Sequence, residues 1–213
     1  MFKKISTLVL SAIISIPLVA CTSKNSNDNV NQVKEGQANE ESKTNNETVY
    51  RVEGSTIDDS GVYQTITQVS VFDNMTDAVK SYGQSDLVVN DENKDKVTVV
   101  VGFEIKNNNK FMISTYPTQA KFVTNTGEQV EADMFASESF DGDIYEGVTK
   151  GGHVLFNLEK TPIDDLKSFK MIWSTSHDNG PPDDYNDDFY KDNELEIVLK
   201  KKEHMLLFLY ISS

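Results

Sequence analysis

The 213-residue chain has a single cysteine, Cys21, so no disulfide can form within it. Three histidines, His153, His177 and His204, share no metal-ligand spacing. A tetrahedral zinc site would have to be completed by carboxylates. There is no Gly-x-Ser-x-Gly elbow, no Ser-x-x-Lys and no phosphate-cradling glycine loop, which removes the common signatures of serine hydrolases and nucleotide enzymes. Basic residues are few: 20 Lys and Arg stand against 34 Asp and Glu, a formal charge of −14. A chain so acidic is repelled by nucleic acid, anionic headgroups and anionic wall polymers, so nucleic-acid partners are excluded. No apolar run approaches the roughly 20 residues that span a bilayer. Scarce Arg beside abundant Asn and Lys points to low-GC coding and a Gram-positive source.

What is present begins at the N-terminus. Lys3 and Lys4 precede an apolar stretch from Leu8 to Ile16 that is interrupted by serines and ends at Pro17. A charged start, a short apolar core and small residues at the cut site describe a secretory leader over residues 1–20. Leu18-Val19-Ala20-Cys21 resembles the lipobox of bacterial lipoproteins, with Leu three residues before the cysteine and Ala directly before it. The resemblance implies a diacylglyceryl group on the Cys21 sulfur, removal of the leader and Cys21 as the new amino terminus. It places the protein at the outer face of the cell membrane, because two acyl chains anchor durably where one does not. Removing the leader takes away two lysines and no acid. The remaining 193 residues then carry 18 basic against 34 acidic side chains, a charge of −16.

Residues 22–48 contain two valines, one alanine and no larger apolar side chain. Such a segment buries too little to offset its ordering entropy, and a disordered tether over residues 21–49 is expected. A folded domain is expected over 50–202, where β-branched and aromatic residues begin to alternate. Val97–Lys106 is the clearest strand: Val97, Val99, Val101, Phe103 and Ile105 share one face, and Val100 on the other suggests cover on both sides. Further strands are expected at Val62–Phe72, Phe111–Tyr116, Ala120–Thr124, Gln129–Ala132, Val154–Leu158, Phe169–Trp173 and Leu195–Leu199. Asn107–Asn109, Asn125–Gly127 and Gly151-Gly152 read as turns. Thr161-Pro162 opens a short helical turn with threonine as its cap, and one short helix is expected at Met75–Tyr82. Many short strands with turns between them predict an all-β, antiparallel immunoglobulin-like sandwich. Its expected core also includes Phe122, Val154, Phe156, Leu158, Phe169, Met171 and Trp173.

Phe103–Asn108, the Asn125–Gly127 turn and the Gly-led strand Gly151–Leu158 together resemble small immunoglobulin-like domains carried by Gram-positive lipoproteins. The resemblance covers about Gly61 to Asp178 and implies an extracellular module of unknown function. An insertion at Asn74–Lys94 and an acidic loop followed by a hydrophobic tail depart from that pattern.

Two stretches hold candidate site chemistry. Residues 178–194 crowd together Asp183, Asp184, Asp187 and Asp188, the carboxylate density that hard cations such as calcium use. Asp184, Asn186 and Asp188 fall at the first, third and fifth places of a calcium loop. Phe189 stands where that loop needs glycine, which leaves a solvated acidic loop as the plain alternative. Asp141, Asp143 and Glu146 offer carboxylates from a second loop. Tyr185, Phe189 and Tyr190 interrupt the acidic run, and aromatics there are candidate contacts for a protein partner. The tail at 203–213, with the apolar run Met205–Ile211, is too short to span a membrane. Anchor, spacer and sandwich with no catalytic constellation lead to a non-enzymatic binding module at the cell surface. The rivals are a carboxylate-based envelope hydrolase, a calcium-stabilised surface domain, and a solute-capturing transporter lipoprotein, which the chain is too short to be.

Overall fold

The computed structural model describes residues 34–44, 46–53, 55–59, 61–82, 88–177 and 189–201, which fall in one compact unit. The strands are β1 (Lys34–Lys43), β2 (Glu47–Glu53), β3 (Thr56–Asp59), β4 (Val62–Phe72), β5 (Val97–Asn107) and β6 (Ile113–Thr115). They continue as β7 (Lys121–Thr124), β8 (Gln129–Glu131), β9 (Gly142–Ile144), β10 (Thr149–Leu158), β11 (Ser168–His177) and β12 (Phe189–Lys200). One helix, α1 (Met75–Ser81), lies between β4 and β5. Hydrogen-bonded neighbours run β10-β5-β4-β2-β1-β12-β11-β6-β9, with β3 on β4, β7 on β11 and β8 on β7.

This path doubles back on itself, so β4, β5 and β10 face β7 and β11 across one core. Phe103 of β5 meets Trp173 of β11 edge-on at 5.1 Å, and Phe122 of β7 lies 4.7 Å from Phe156 of β10 and 4.3 Å from Phe169. Each such aromatic pair adds about 0.5–1.5 kcal/mol beyond the area it buries. The fold is the β-sandwich that the alternation predicts. Val99, Val101, Phe103, Ile105, Phe122, Val154, Phe156, Leu158, Phe169, Met171 and Trp173 are all buried, and Val97 packs half-buried against them. Among the described strands every pair is antiparallel except β1 with β12, which run parallel.

Val100, pointing out of the sandwich, is covered by a second, smaller core. There Met75, Ala78 and Val79 of α1 pack with Phe72, Leu155 and Ala136. A seven-residue helix is too short to hold itself together in water and owes its order to this contact. Asn74 caps it, its side-chain oxygen accepting from the Asp77 amide at 2.8 Å. α1 thus covers the outer face of β4, β5 and β10.

Several expectations are corrected. The expected disordered tether does not extend through residues 34–43 and 47–49, which are strand. β1 lies between β2 and β12, with Gly36 and Ala38 buried and their neighbours exposed. Low hydrophobicity misleads here because main-chain bonding on both flanks, not side-chain burial, holds the strand. Gly151-Gly152 is not a turn. Both sit inside β10, opposite Glu104 and Phe103, and a Cβ on Gly152 would lie 2.4 Å from the Phe140 ring. Glycine is there for close approach. Asn107 closes β5 fully buried, its side-chain amide donating to the carbonyls of Phe111 (2.8 Å) and Ile144 (2.9 Å). The turn at Ile163–Asp165 is capped by Pro162, with no bond from Thr161. The expected strands at Phe111–Tyr116, Ala120–Thr124 and Gln129–Ala132 shorten to β6, β7 and β8.

The Asn125–Gly127 turn forms as read, with Gly127 at φ +85°. Beyond it, Glu128 fastens the hairpin to the corner between β10 and β11. Its carboxylate accepts from the amides of Glu159 (2.6 Å), Lys160 (2.9 Å) and Thr161 (2.7 Å). Burial would raise its pKa, but the Thr161 hydroxyl and those amides outweigh it and hold the carboxyl below its ordinary range. A lowered pKa contributes stability above the unfolded value of about 4.3, lost as pH falls through the folded one. Glu128→Gln is therefore expected to cost well under about 1 kcal/mol at neutral pH, since the group is largely solvated. The gap from the wild type should close as denaturant midpoints are taken down towards pH 3.

Candidate functional site

After β8 the chain makes a tight turn that closes the free edge of β10. The Asp133 amide donates to the Leu155 carbonyl at 2.8 Å, the Leu155 amide to the Ser137 hydroxyl at 3.0 Å, and the Glu138 amide to the His153 carbonyl at 2.9 Å. An open strand edge is a site for unwanted pairing, and this turn occupies it. The same Asp133 fixes the turn from inside. Its Oδ1 accepts from the amides of Phe135 (3.2 Å) and Ala136 (3.1 Å), and its Oδ2 from Asn157 Nδ2 (3.2 Å). Ala136 is buried in the smaller core.

Pinned on both sides, the turn holds Met134 and Phe135 outward, 55% and 81% exposed. Beside it runs a polar groove of about 440 Å³ between the 90–96 loop and strands β8 and β10. Four carboxylates line it, Glu92, Glu131, Asp133 and Glu159, against one cation, Lys96, whose Nζ is bonded to Glu159 Oε1.

At the other end of the turn lies a second constellation. His153 Nδ1 is 2.8 Å from Glu138 Oε2, and the imidazole packs on the Tyr82 ring at 4.5 Å. The Tyr82 hydroxyl shares a hydrogen bond with Ser70 and accepts from Gln68 Nε2, both at 2.7 Å. His153 is half-buried in mid-strand and ties α1's end to β10.

No family model matches this chain, and no curated protein matches its sequence. Solved structures similar to it include a conserved hypothetical protein from Bacillus anthracis: 14% identity, TM-score 0.42, covering 60% of this chain and 92% of that one. A functionally unknown protein from Listeria monocytogenes EGD-e matches at 17% identity and TM-score 0.42, over 65% of this chain and 79% of its own. An uncharacterised β-sandwich protein from Clostridium difficile 630 matches at 14% identity and TM-score 0.32, over 68% and 89%.

Of the residues singled out in the sequence, Cys21, Asp183, Asp184, Tyr185, Asp187, Asp188, His204 and the Met205–Ile211 run lie outside the described residues. Phe189 opens β12. Tyr190 is 71% exposed, its hydroxyl donating to Asp192 Oδ1 at 3.4 Å. His177 ends β11 with its ring 4.6 Å from Phe111. Asp141 and Asp143 serve separate partners, Asp141 the amide and hydroxyl of Thr118 and Asp143 the hydroxyl of Ser114. Burial lifts the Asp141 carboxyl above its ordinary range despite the Thr118 bonds. Among the described residues no group of three or more His, Cys, Asp or Glu is gathered to hold a metal ion, and no helix is long and apolar enough to cross a membrane. Met134 and Phe135 escaped sequence reading because a lone apolar pair carries no periodicity. The signal that marks them is Asp133 ahead and Ser137 behind, the chemistry of a self-capped turn.

Proposed function

We propose that this protein is a lipid-anchored, extracellular binding module, held to the membrane through Cys21 and meeting its partner with the Asp133–Ser137 turn. The observation that carries the reading is Phe135, an aromatic side chain 81% exposed on a turn hydrogen-bonded at both ends. Exposed apolar groups on a rigid element mark interaction surfaces. Rigidity matters because the entropy of ordering has been spent in folding and need not be spent on contact. The lipobox supports the anchor, and a sandwich with its loops outward supports presentation to a partner.

Two measurements on cells test the two halves. In a Gram-positive host, wild-type protein is expected in the membrane fraction and Cys21→Ala in the medium; a variant retained as firmly as wild type removes the anchor. A photo-crosslinking residue at position 135 is expected to capture a neighbour on intact cells, while one at Gln37, on an exposed face of β1, captures none. Equal adducts from both positions would remove the turn as the contact site.

A further inference from the structure

The turn and the groove ask for different chemistry, and one kind of ligand supplies both. Met134 and Phe135 present apolar surface that water leaves poorly solvated. Directly beside them the chain is acidic: Asp133 precedes the pair, Glu131 lies two residues before that, and Glu92 and Glu159 line the same groove. Lys96 is engaged by Glu159, and neither Glu92 nor Glu131 takes part in an ion pair among the described residues. Consecutive Cα atoms are 3.8 Å apart, so the apolar tip and the nearest groove carboxylates lie within a few residues' reach of a single strand of peptide. Resting on the reading of this turn as the contact site, we propose that the surface binds a cationic peptide segment bearing an apolar side chain. Its lysine or arginine heads lie along the groove, and its apolar side chain lies on Phe135 and Met134.

Charge complementarity selects this occupant over the others that an apolar knob could take. An anionic lipid surface or wall polymer would bring negative charge against the groove carboxylates and against a chain of −14. A second copy would set one acidic groove beside another. A neutral apolar partner would leave the groove carboxylates to be desolvated with nothing in return. A basic, apolar-bearing segment meets both halves.

The test uses the leaderless chain from residue 21 with Cys21→Ser and three short synthetic peptides: alternating Lys and Leu, alternating Lys and Ser, and alternating Glu and Leu. By calorimetric titration, the Lys–Leu peptide is expected to bind, the Lys–Ser peptide about tenfold more weakly, as for the loss of an apolar anchor, and the Glu–Leu peptide not at all. Phe135→Ser should weaken the Lys–Leu peptide about tenfold and leave the Lys–Ser peptide unchanged. With Phe135 so exposed, the variant should melt as the wild type does. Glu131→Lys should weaken both basic peptides more than Glu41→Lys, which makes the same charge change on an exposed face of β1. Equal effects of those two charge reversals, or an unchanged affinity for the Lys–Leu peptide in Phe135→Ser, would mean attraction to net charge alone and overturn the proposal. Phe135-dependent binding to phosphatidylcholine or phosphatidylglycerol vesicles, or Phe135-dependent dimerisation, would overturn it in favour of a membrane or a second copy. Failure of all three peptides while position 135 still crosslinks on cells removes the cationic ligand and leaves the contact site. Failure of both removes both.

Discussion

Replacing Gln64 with methionine is expected to lower the free energy of unfolding by about 3 kcal/mol, although methionine is similar in volume and less polar. Gln64, on β4, is 1% exposed and sits where the two layers meet. Its Oε1 accepts from the Trp173 indole (2.7 Å) and the Thr115 hydroxyl (2.9 Å), and its Nε2 donates to the Thr175 hydroxyl (3.0 Å). Thr115 and Thr175 share a further bond at 2.9 Å, and Asn193 Nδ2 donates to Thr175 at 2.7 Å. β4, β6, β11 and β12 are thus joined through one buried polar knot. Thr115 can turn to the Ser174 carbonyl at 3.2 Å, but the indole N–H would have no replacement. A buried donor left unpaired costs about 1–3 kcal/mol, and the lost bonds add to it.

The check is a denaturant series in which the midpoint falls while the slope holds, equivalent to a melting shift of roughly 6–12 °C for a domain of this size. Trp173→Phe removes the donor and keeps most of the ring. The double variant is therefore expected to be more stable than the sum of the single losses predicts. Strict additivity, or a Gln64→Met loss below about 0.5 kcal/mol, would show that the knot does not act as a unit.

Gln64 shows where sequence reading stopped. The β5 strand was legible because five apolar side chains repeat at period two, a pattern that only a half-buried strand satisfies. Val100, out of phase with them, correctly announced cover on the second face, and α1 provides it. A buried glutamine in an alternating strand looks the same in sequence as an exposed one, because its partners lie 51 and 111 residues away. Gly151-Gly152 carried a genuine signal that was assigned to the wrong cause: Gly152 marks the close approach of the Phe140 ring and Gly151 that of the Phe103 carbonyl, which no local rule reveals. The candidate site was the least legible of all. Asp133 could be read as a turn residue, but nothing in the letters says that this turn caps the edge of β10 and so holds Phe135 out. The acidic run at 183–188 was conspicuous because its carboxylates are adjacent in sequence, and it lies outside the described residues.

The largest effect is expected from β1, whose composition hid it. A chain that begins at residue 47 instead of 34 is expected to lose cooperative unfolding, because β2 and β12 would each lose a hydrogen-bonded neighbour and face one another across an empty slot. Gly36→Val tests the same strand without deleting it. A Cβ there would lie 2.7 Å from Ser55 Cβ and 2.8 Å from Ile197 Cδ1, so either the core or β1 must move, and a loss of about 3 kcal/mol or more is expected. Tyr50 reports which one moves. It stands opposite Glu40 of β1, and burial, with Glu40 and Asp164 nearby, pushes its hydroxyl up to about 12. The raised value contributes stability that is complete below the unfolded pKa of about 10 and is lost as pH rises through the folded one. If β1 leaves its slot in Gly36→Val, one tyrosine is expected to titrate about two units earlier by ultraviolet absorbance. If the core yields instead, the tyrosine stays put while stability falls. A chain beginning at residue 47 that still unfolds cooperatively, with stability unchanged, would return residues 34–43 to the role of a spacer.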